Sequence, residues 1–375
     1  MGKFQMDSAL LLTAFGVQFA AAIGFAVVGT ALVKRFPSRD TFLAVWMFTG
    51  IIASILMVAL EPFNMASILL VSFILGFSLG LGFPSCLAYF GDYGTIKNRG
   101  LLAGITFFVT GFCILFIGLI VSFSTLLIGA MTLAAWRGIG LLSFLLTRTK
   151  KDVSKEKTRE ISYRSILLDR SFLMYFIPWM MFTLINFLEA PIIYIVFGNE
   201  IASVIPLVEF GMGGFVALLC GRFADSVGRK RVIIVGFIML GIGYGMLGFF
   251  QGIPLFEYLY IIIDGVAWGI FLPMFFLVVW SELAGNRKKE KYYLIGLAPF
   301  LIASYSQILF TPFAQAMDEV SAAFSLASFF LFIAVLPLLY APETMPQKHI
   351  ELKRLRKFAD DAKKAKEKYD GKGKG

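Results

Sequence analysis

The chain has 375 residues, 58% of them apolar and only 15% charged, with a net charge of +10. A soluble domain carries about a quarter of its residues as charges, spread over its whole surface; here long stretches carry none and short ones are dense with Lys and Arg, which makes lipid the main solvent. Three separate cysteines in or beside apolar runs (Cys86, Cys113, Cys220) and a single histidine, His349, exclude a disulfide framework and a Cys/His metal site, and the absence of a Walker motif or nucleophile elbow argues against an enzyme or a bound cofactor.

Crossing the hydrocarbon core takes about 20 apolar residues in helical form. The first run of that kind is 8–34. It is too long for the apolar core of a signal peptide and ends in "VKRFPSRD", not in a small-residue cleavage site, so it predicts a spanning helix. Runs at 41–60, 65–90, 100–121 and 124–146 follow, and residues 1–146 are expected to form a five-helix bundle. A charged linker, 147–170, leads to six more runs at 171–197, 201–220, 231–250, 256–280, 292–312 and 321–341. These make a six-helix bundle over 171–342. The basic tail, 343–375, predicts a helix in solution or at the lipid surface, drawn to anionic lipid and needing no nucleic acid.

Orientation follows from the basic residues. Eleven spans divide the loops into two sets. One set, with the tail, holds 32 of the 34 Lys and Arg residues; the other holds only Lys3, and Arg137 lies inside a span. The second set is acidic, with Asp7, Glu61, Glu200, Glu257, Asp318 and Glu319. The tail is therefore expected in the cytoplasm and the N-terminus outside.

Two loops recur. "GTALVKRFPSR" from Gly29 and "GRFADSVGRKR" from Gly221 are offset by 192 residues, and Asp92 and Glu282, each followed by an Arg (Arg99, Arg287), are offset by 190. The spans 41–60, 65–90 and 100–121 map onto 231–250, 256–280 and 292–312 at nearly the same offset, which implies two halves of one architecture. The mate of span 171–197 would precede residue 1, so the first half is read as five helices against six.

At "GRFADSVGRKR" the chain resembles the major facilitator superfamily. The family signature, Gly-x-x-x-Asp-x-x-Gly-Arg-(Arg/Lys) in a cytoplasmic loop, is matched by Gly221, Asp225, Gly228, Arg229 and Lys230. "NRGLLAG", "SELAGNR" and "PET" (Pro342, Glu343, Thr344) are similar to its sugar-porter branch. The first-half copy departs, with Val33, Pro37 and Ser38 at signature positions and only Gly29 and Arg39 kept. The resemblance implies an all-α, two-bundle fold and a cytoplasmic gate built on the second-half loop. Glu282 and Arg287 are expected as the second layer of that charge network, with Asp225 accepting from Arg229 or from a helix N-terminus.

Charged groups inside a bilayer cost at least about 2.5–3.5 kcal/mol, so those in the spans stand out. Asp264, in "IIIDGVAWG", and Glu189 with Asn186, in "LINFLEAP", fall on the tenth and seventh helices of the resembled family, which line its central cavity. Either carboxyl is placed to carry a proton or pair with a cation, and Glu189 is also compatible with a shallow position near the outer interface. Glu209 and Arg137, on helices less often central, read as structural ion-pair partners. Gly104, Gly111 and Gly118, like Gly241 and Gly245, share a helix face suited to close packing.

The combined expectation is a multi-pass cell-membrane protein that transports a small solute between two rocking halves, with proton coupling through Asp264 or Glu189. A transporter-derived subunit that does not itself transport is the alternative. A partner helix, a second copy of the chain or lipid is expected to cover the place of the unmatched helix.

Overall fold

A computed structural model describes residues 8–60, 64–147, 159–317, 319–345, 351 and 355. Among them are eleven helices long and apolar enough to cross a membrane. The first five are α1 (Ser8–Leu32), α2 (Arg39–Leu56), α3 (Met65–Tyr93), α4 (Arg99–Ser122) and α5 (Leu126–Thr147). A short helix, Tyr163–Leu167, lies in the linker. Then come α6 (Arg170–Gly198), α7 (Ile205–Val227), α8 (Arg229–Phe249), α9 (Pro254–Ala284), α10 (Lys289–Gln315) and α11 (Val320–Tyr340). Lys3, residues 61–63, most of the linker before Arg159 and nearly all of the basic tail lie outside the described residues.

The helices are local consequences of composition. Lipid offers a backbone no hydrogen-bond partner, so an apolar run must satisfy itself as a helix. Polar side chains set the ends. Ser38 accepts from the Thr41 amide at the start of α2, Asn64 and Ser67 form a reciprocal cap on α3, and Asp169 caps α6. Pro273 removes one donor within α9, and Leu272–Val278 winds as a π-helix there.

Helix α7 runs to Val227, past the end expected at 220. Gly221 and Asp225 thus sit on a helix, which corrects the sequence reading of that whole stretch as a loop. The turn is at Gly228 alone, whose φ of 106° suits a residue without Cβ.

Helix pairing repeats between the halves. Within the first half α1 packs on α3, with Gly76 and Gly80 against the backbone of Gln18 and Ala22, and α2 packs on α5. Within the second, α7 packs on α9 through Gly213, Gly265 and Gly269, and α8 packs on α11, where Ser328 bonds the Gly241 carbonyl at 2.7 Å. The halves meet along two seams, α4 with α7 and α1 with α10. Under the 190-residue offset each seam is the image of the other. At the first, Gly100, Gly104 and Gly111 lie so close to α7 that a Cβ on any of them would meet a backbone oxygen within 2.6 Å. At the second, Phe19 stacks on Tyr305 at 5.1 Å.

Candidate functional site

The basic loops gather at one face, where side chains of the two halves interlock. Asp225, at the end of α7, accepts from the amides of Gly100 (3.0 Å) and Leu101 (2.8 Å) at the N-terminus of α4. It also pairs with Arg229 at 2.7 Å. Both partners foreseen for this carboxylate are present together, one from its own half and one from the other. Arg229 is fully buried and extends to Glu282 (3.3 Å) and to the Ile96 carbonyl (3.1 Å). Glu282 in turn approaches Arg99 of the first half at 3.5 Å and accepts from Thr344 at 2.6 Å. Glu343 caps α8 through the amides of Arg229 and Lys230, while the Lys230 ammonium bonds the carbonyls of Leu339 and Ala341.

Arg287 departs from its expected place. It pairs with Asp169 at 3.4 Å and lies over the Tyr292 ring at 5.1 Å, so it ties α6 to the loop before α10 and does not join Glu282. The first-half motif copy, although degenerate, keeps a crossing contact. Arg39 pairs with Asp92 in its own half and with Glu290 (2.6 Å) in the other, and Lys289 reaches back to Asp92. Beside it Lys288, nearly buried, donates to the Thr30 carbonyl at 2.8 Å, and burial pushes its ammonium below the usual 10.5. Glu160 of the linker holds Lys34 (2.5 Å) and Lys291 (3.2 Å), one from each half. Its hydrogen bond to Lys34 outweighs the upward push of its slight burial and sets its carboxyl below the ordinary 4.5.

A second group of polar residues lies within the spans. Glu189 is buried on α6 and accepts from Tyr260 of α9 at 2.8 Å and from Tyr244 of α8. It is therefore enclosed by protein. Asp264, equally buried on α9, accepts from Asn186 at 3.0 Å and lies beside the Glu209 carboxyl of α7. The close approach of Gly213 to Gly269, about one helical turn further along both chains, brings Glu209 to Asp264. Glu209 thus belongs with the two candidate carboxyls, which corrects its reading as an ion-pair partner. Two carboxyl groups side by side are accommodated most readily when one of them holds a proton.

Arg137 is also corrected: it donates to the Gly50 carbonyl at 2.6 Å and approaches the Ser78 hydroxyl at 3.5 Å, with no acid beside it among the described residues. The parts missed from sequence are Tyr244, Tyr260 and Trp268, the last on the same helix as Asp264 and lining the cavity described next. An aromatic inside an apolar run carries no mark of the carboxylate it will meet.

Beside this cluster is a cavity of about 200 Å³. One wall is α4, with Phe107 and Gly111; the others are α6, α7, α9 and α10, with Asn186, Glu209, Trp268 and Gln307. It therefore lies between the halves, and Glu209 is its one acidic lining residue among those described.

A family model described as Major Facilitator Superfamily matches residues 1–291. No curated protein is significantly similar. Solved structures are similar in fold. The proton:xylose symporter XylE bound to 6-bromo-6-deoxy-D-glucose is 16% identical, with a TM-score of 0.64 over 91% of this chain and 88% of that one. The transporter FucP in the outward conformation is 11% identical, with a TM-score of 0.69 over 92% and 91%. The human organic anion transporter MFSD10 is 15% identical, with a TM-score of 0.62 over 88% and 83%. At such identities the likeness is one of architecture, and the site must be read from its own residues.

Proposed function

Because this chain belongs to the major facilitator superfamily, we propose that it is a secondary active transporter of the cell membrane, moving a small solute by alternating access and driven by protons. The observation that carries this reading is the cavity between the halves, with Glu209 on its wall and Asp264 beside it. The distribution of basic residues supports placing the basic face in the cytoplasm. In the arrangement described, the ion pairs of Asp225, Arg229, Glu282 and Arg39 hold the halves together at that face.

The proposed cycle uses only groups present. A proton from outside is held by the Glu209–Asp264 pair. Tyr244 and Tyr260 keep Glu189 hydrogen-bonded beside it, while Asn186 orients Asp264. Release of the proton on the cytoplasmic side requires the halves to part at the basic face, which breaks the Arg39 and Asp225 contacts and re-forms them on return. Loss of a proton leaves an ionised carboxyl in a poorly solvated place, and that cost links protonation to conformation.

The full chain reconstituted in vesicles tests this. Under an inward proton gradient, labelled solute should accumulate above its external concentration, and an ionophore should abolish the accumulation. Saturable solute binding with no flux under any gradient would instead identify a non-transporting subunit.

A further inference from the structure

Resting on that reading, we infer that the cavity takes a small organic monocation, a protonated amine or quaternary ammonium, with its charge against Glu209 and its body against a corner of three aromatic rings. Phe187, Trp268 and Phe300 all line the cavity. Their ring planes are nearly perpendicular in every pairing: 81° for Phe187 and Phe300, 80° for Phe187 and Trp268, and 88° for Trp268 and Phe300. The centroids lie 5.2–6.3 Å apart. Aromatic faces carry partial negative charge, and several rings around one space attract ammonium groups in preference to neutral or anionic ones.

The charge balance agrees. Among the described residues lining the cavity there is no Lys, Arg or His, so an anionic solute would meet a carboxyl and no counter-charge. Behind the wall, Asp264 and Glu189 are likewise partnered by Asn186, Tyr244 and Tyr260, none of them cationic. A metal ion is not favoured: no three acidic, His or Cys groups among the described residues are placed to hold one. A sugar would need several hydrogen-bonding groups around its ring, whereas the polar lining is confined to Thr110, Asn186, Glu209 and Gln307, set among apolar and aromatic residues. The volume, below the roughly 300–1,000 Å³ of drug-sized sites, sets the scale of the solute.

Equilibrium binding to the detergent-purified full chain tests the charge class without any gradient. The probe is radiolabelled tetraethylammonium, with unlabelled xylose and benzoate as competitors. The expected result is saturable binding that neither competitor displaces. Glu209→Gln should weaken it about tenfold or more, as for loss of a charge-assisted contact, while Glu209→Asp retains most of it. Trp268→Leu should weaken it severalfold, by removing one ring. Should Glu209→Gln fail to elute as a monodisperse species, Glu209→Asp and Trp268→Leu carry the comparison. No saturable binding of the probe, displacement by xylose or benzoate, or equal affinity in a folded Glu209→Gln protein would overturn the assignment. Probe binding without flux in vesicles would sink the transport reading and leave this one standing.

Discussion

Arg39, at the start of α2, holds Glu290, at the start of α10, across the two halves at 2.6 Å. Glu290 is almost fully buried there. The first-half motif has lost its aspartate and second glycine, yet the residue that reaches the other half remains. Both copies of the loop therefore contribute a crossing contact at the basic face, the second through Asp225 and the first through Arg39.

Removing one partner of a buried pair costs about 3–5 kcal/mol, because the other charge is left without compensation. Asp225→Asn would leave fully buried Arg229 without its nearest carboxylate and weaken the cap on α4. Hydrogen exchange at the Gly100 and Leu101 amides should become at least about tenfold faster. Exchange at the wild-type rate would show that this contact does not hold the halves together.

Asp264→Asn removes a titratable group while keeping its shape. Proton-driven accumulation should fall to the level of empty vesicles, with solute exchange at equal concentrations still measurable. Glu189→Gln is the parallel case, with Tyr244 and Tyr260 left to bond an amide. Accumulation by Asp264→Asn at the wild-type level would remove that carboxyl from the coupling step.

The α4–α7 seam depends on small residues. A Cβ on Gly104 would lie 2.4 Å from the Ala217 carbonyl oxygen, so Gly104→Val should destabilise by about 1–3 kcal/mol, read as a lower thermal midpoint in detergent. Gly138 on α5 has open space, and Gly138→Ala should leave the midpoint unchanged or raise it. Equal effects at the two sites would contradict the close approach.

The Glu160 contacts predict a pH dependence with a definite sign. The folded carboxyl titrates below its ordinary 4.5, so its stabilisation is present above that value and is lost as pH falls through the lower folded one. Its side chain is half exposed, and screening limits the contribution to about 0–1 kcal/mol. Glu160→Gln should lower the thermal midpoint slightly at pH 7 and have no effect once the wild-type carboxyl is protonated. A difference that persists in acid would have another origin.

Topology is tested by labelling. In a background lacking Cys86, Cys113 and Cys220, single cysteines at Ser8 and Gly373 are exposed in turn to an impermeant thiol reagent on intact cells. Only the first should react, since the basic residues place the tail inside. Labelling of the second alone would invert the assignment of faces.

The eleven spans, the basic face and the duplication were legible in the chain because each is an additive, local property. Span length is set by bilayer thickness, the sidedness of loops by counting charges, and the repeat by a constant offset between similar residues. The second-half motif was legible for a related reason: Asp225 and Arg229 are four residues apart, so one helix end with its turn at Gly228 brings them together.

The partners of the intramembrane charges were decided only in three dimensions. Glu209 meets Asp264, 55 residues away, because glycines at 213 and 269 let two backbones approach and so fix the rotation of α7 against α9. Arg137 finds the Gly50 carbonyl, and Arg287 turns to Asp169 while Arg99 takes Glu282. Hydropathy sums over a helix and does not depend on how the helix is rotated about its axis. A carboxyl facing a cavity and one facing a neighbouring helix give the same run of letters, and the packing of small residues at the seams selects between them.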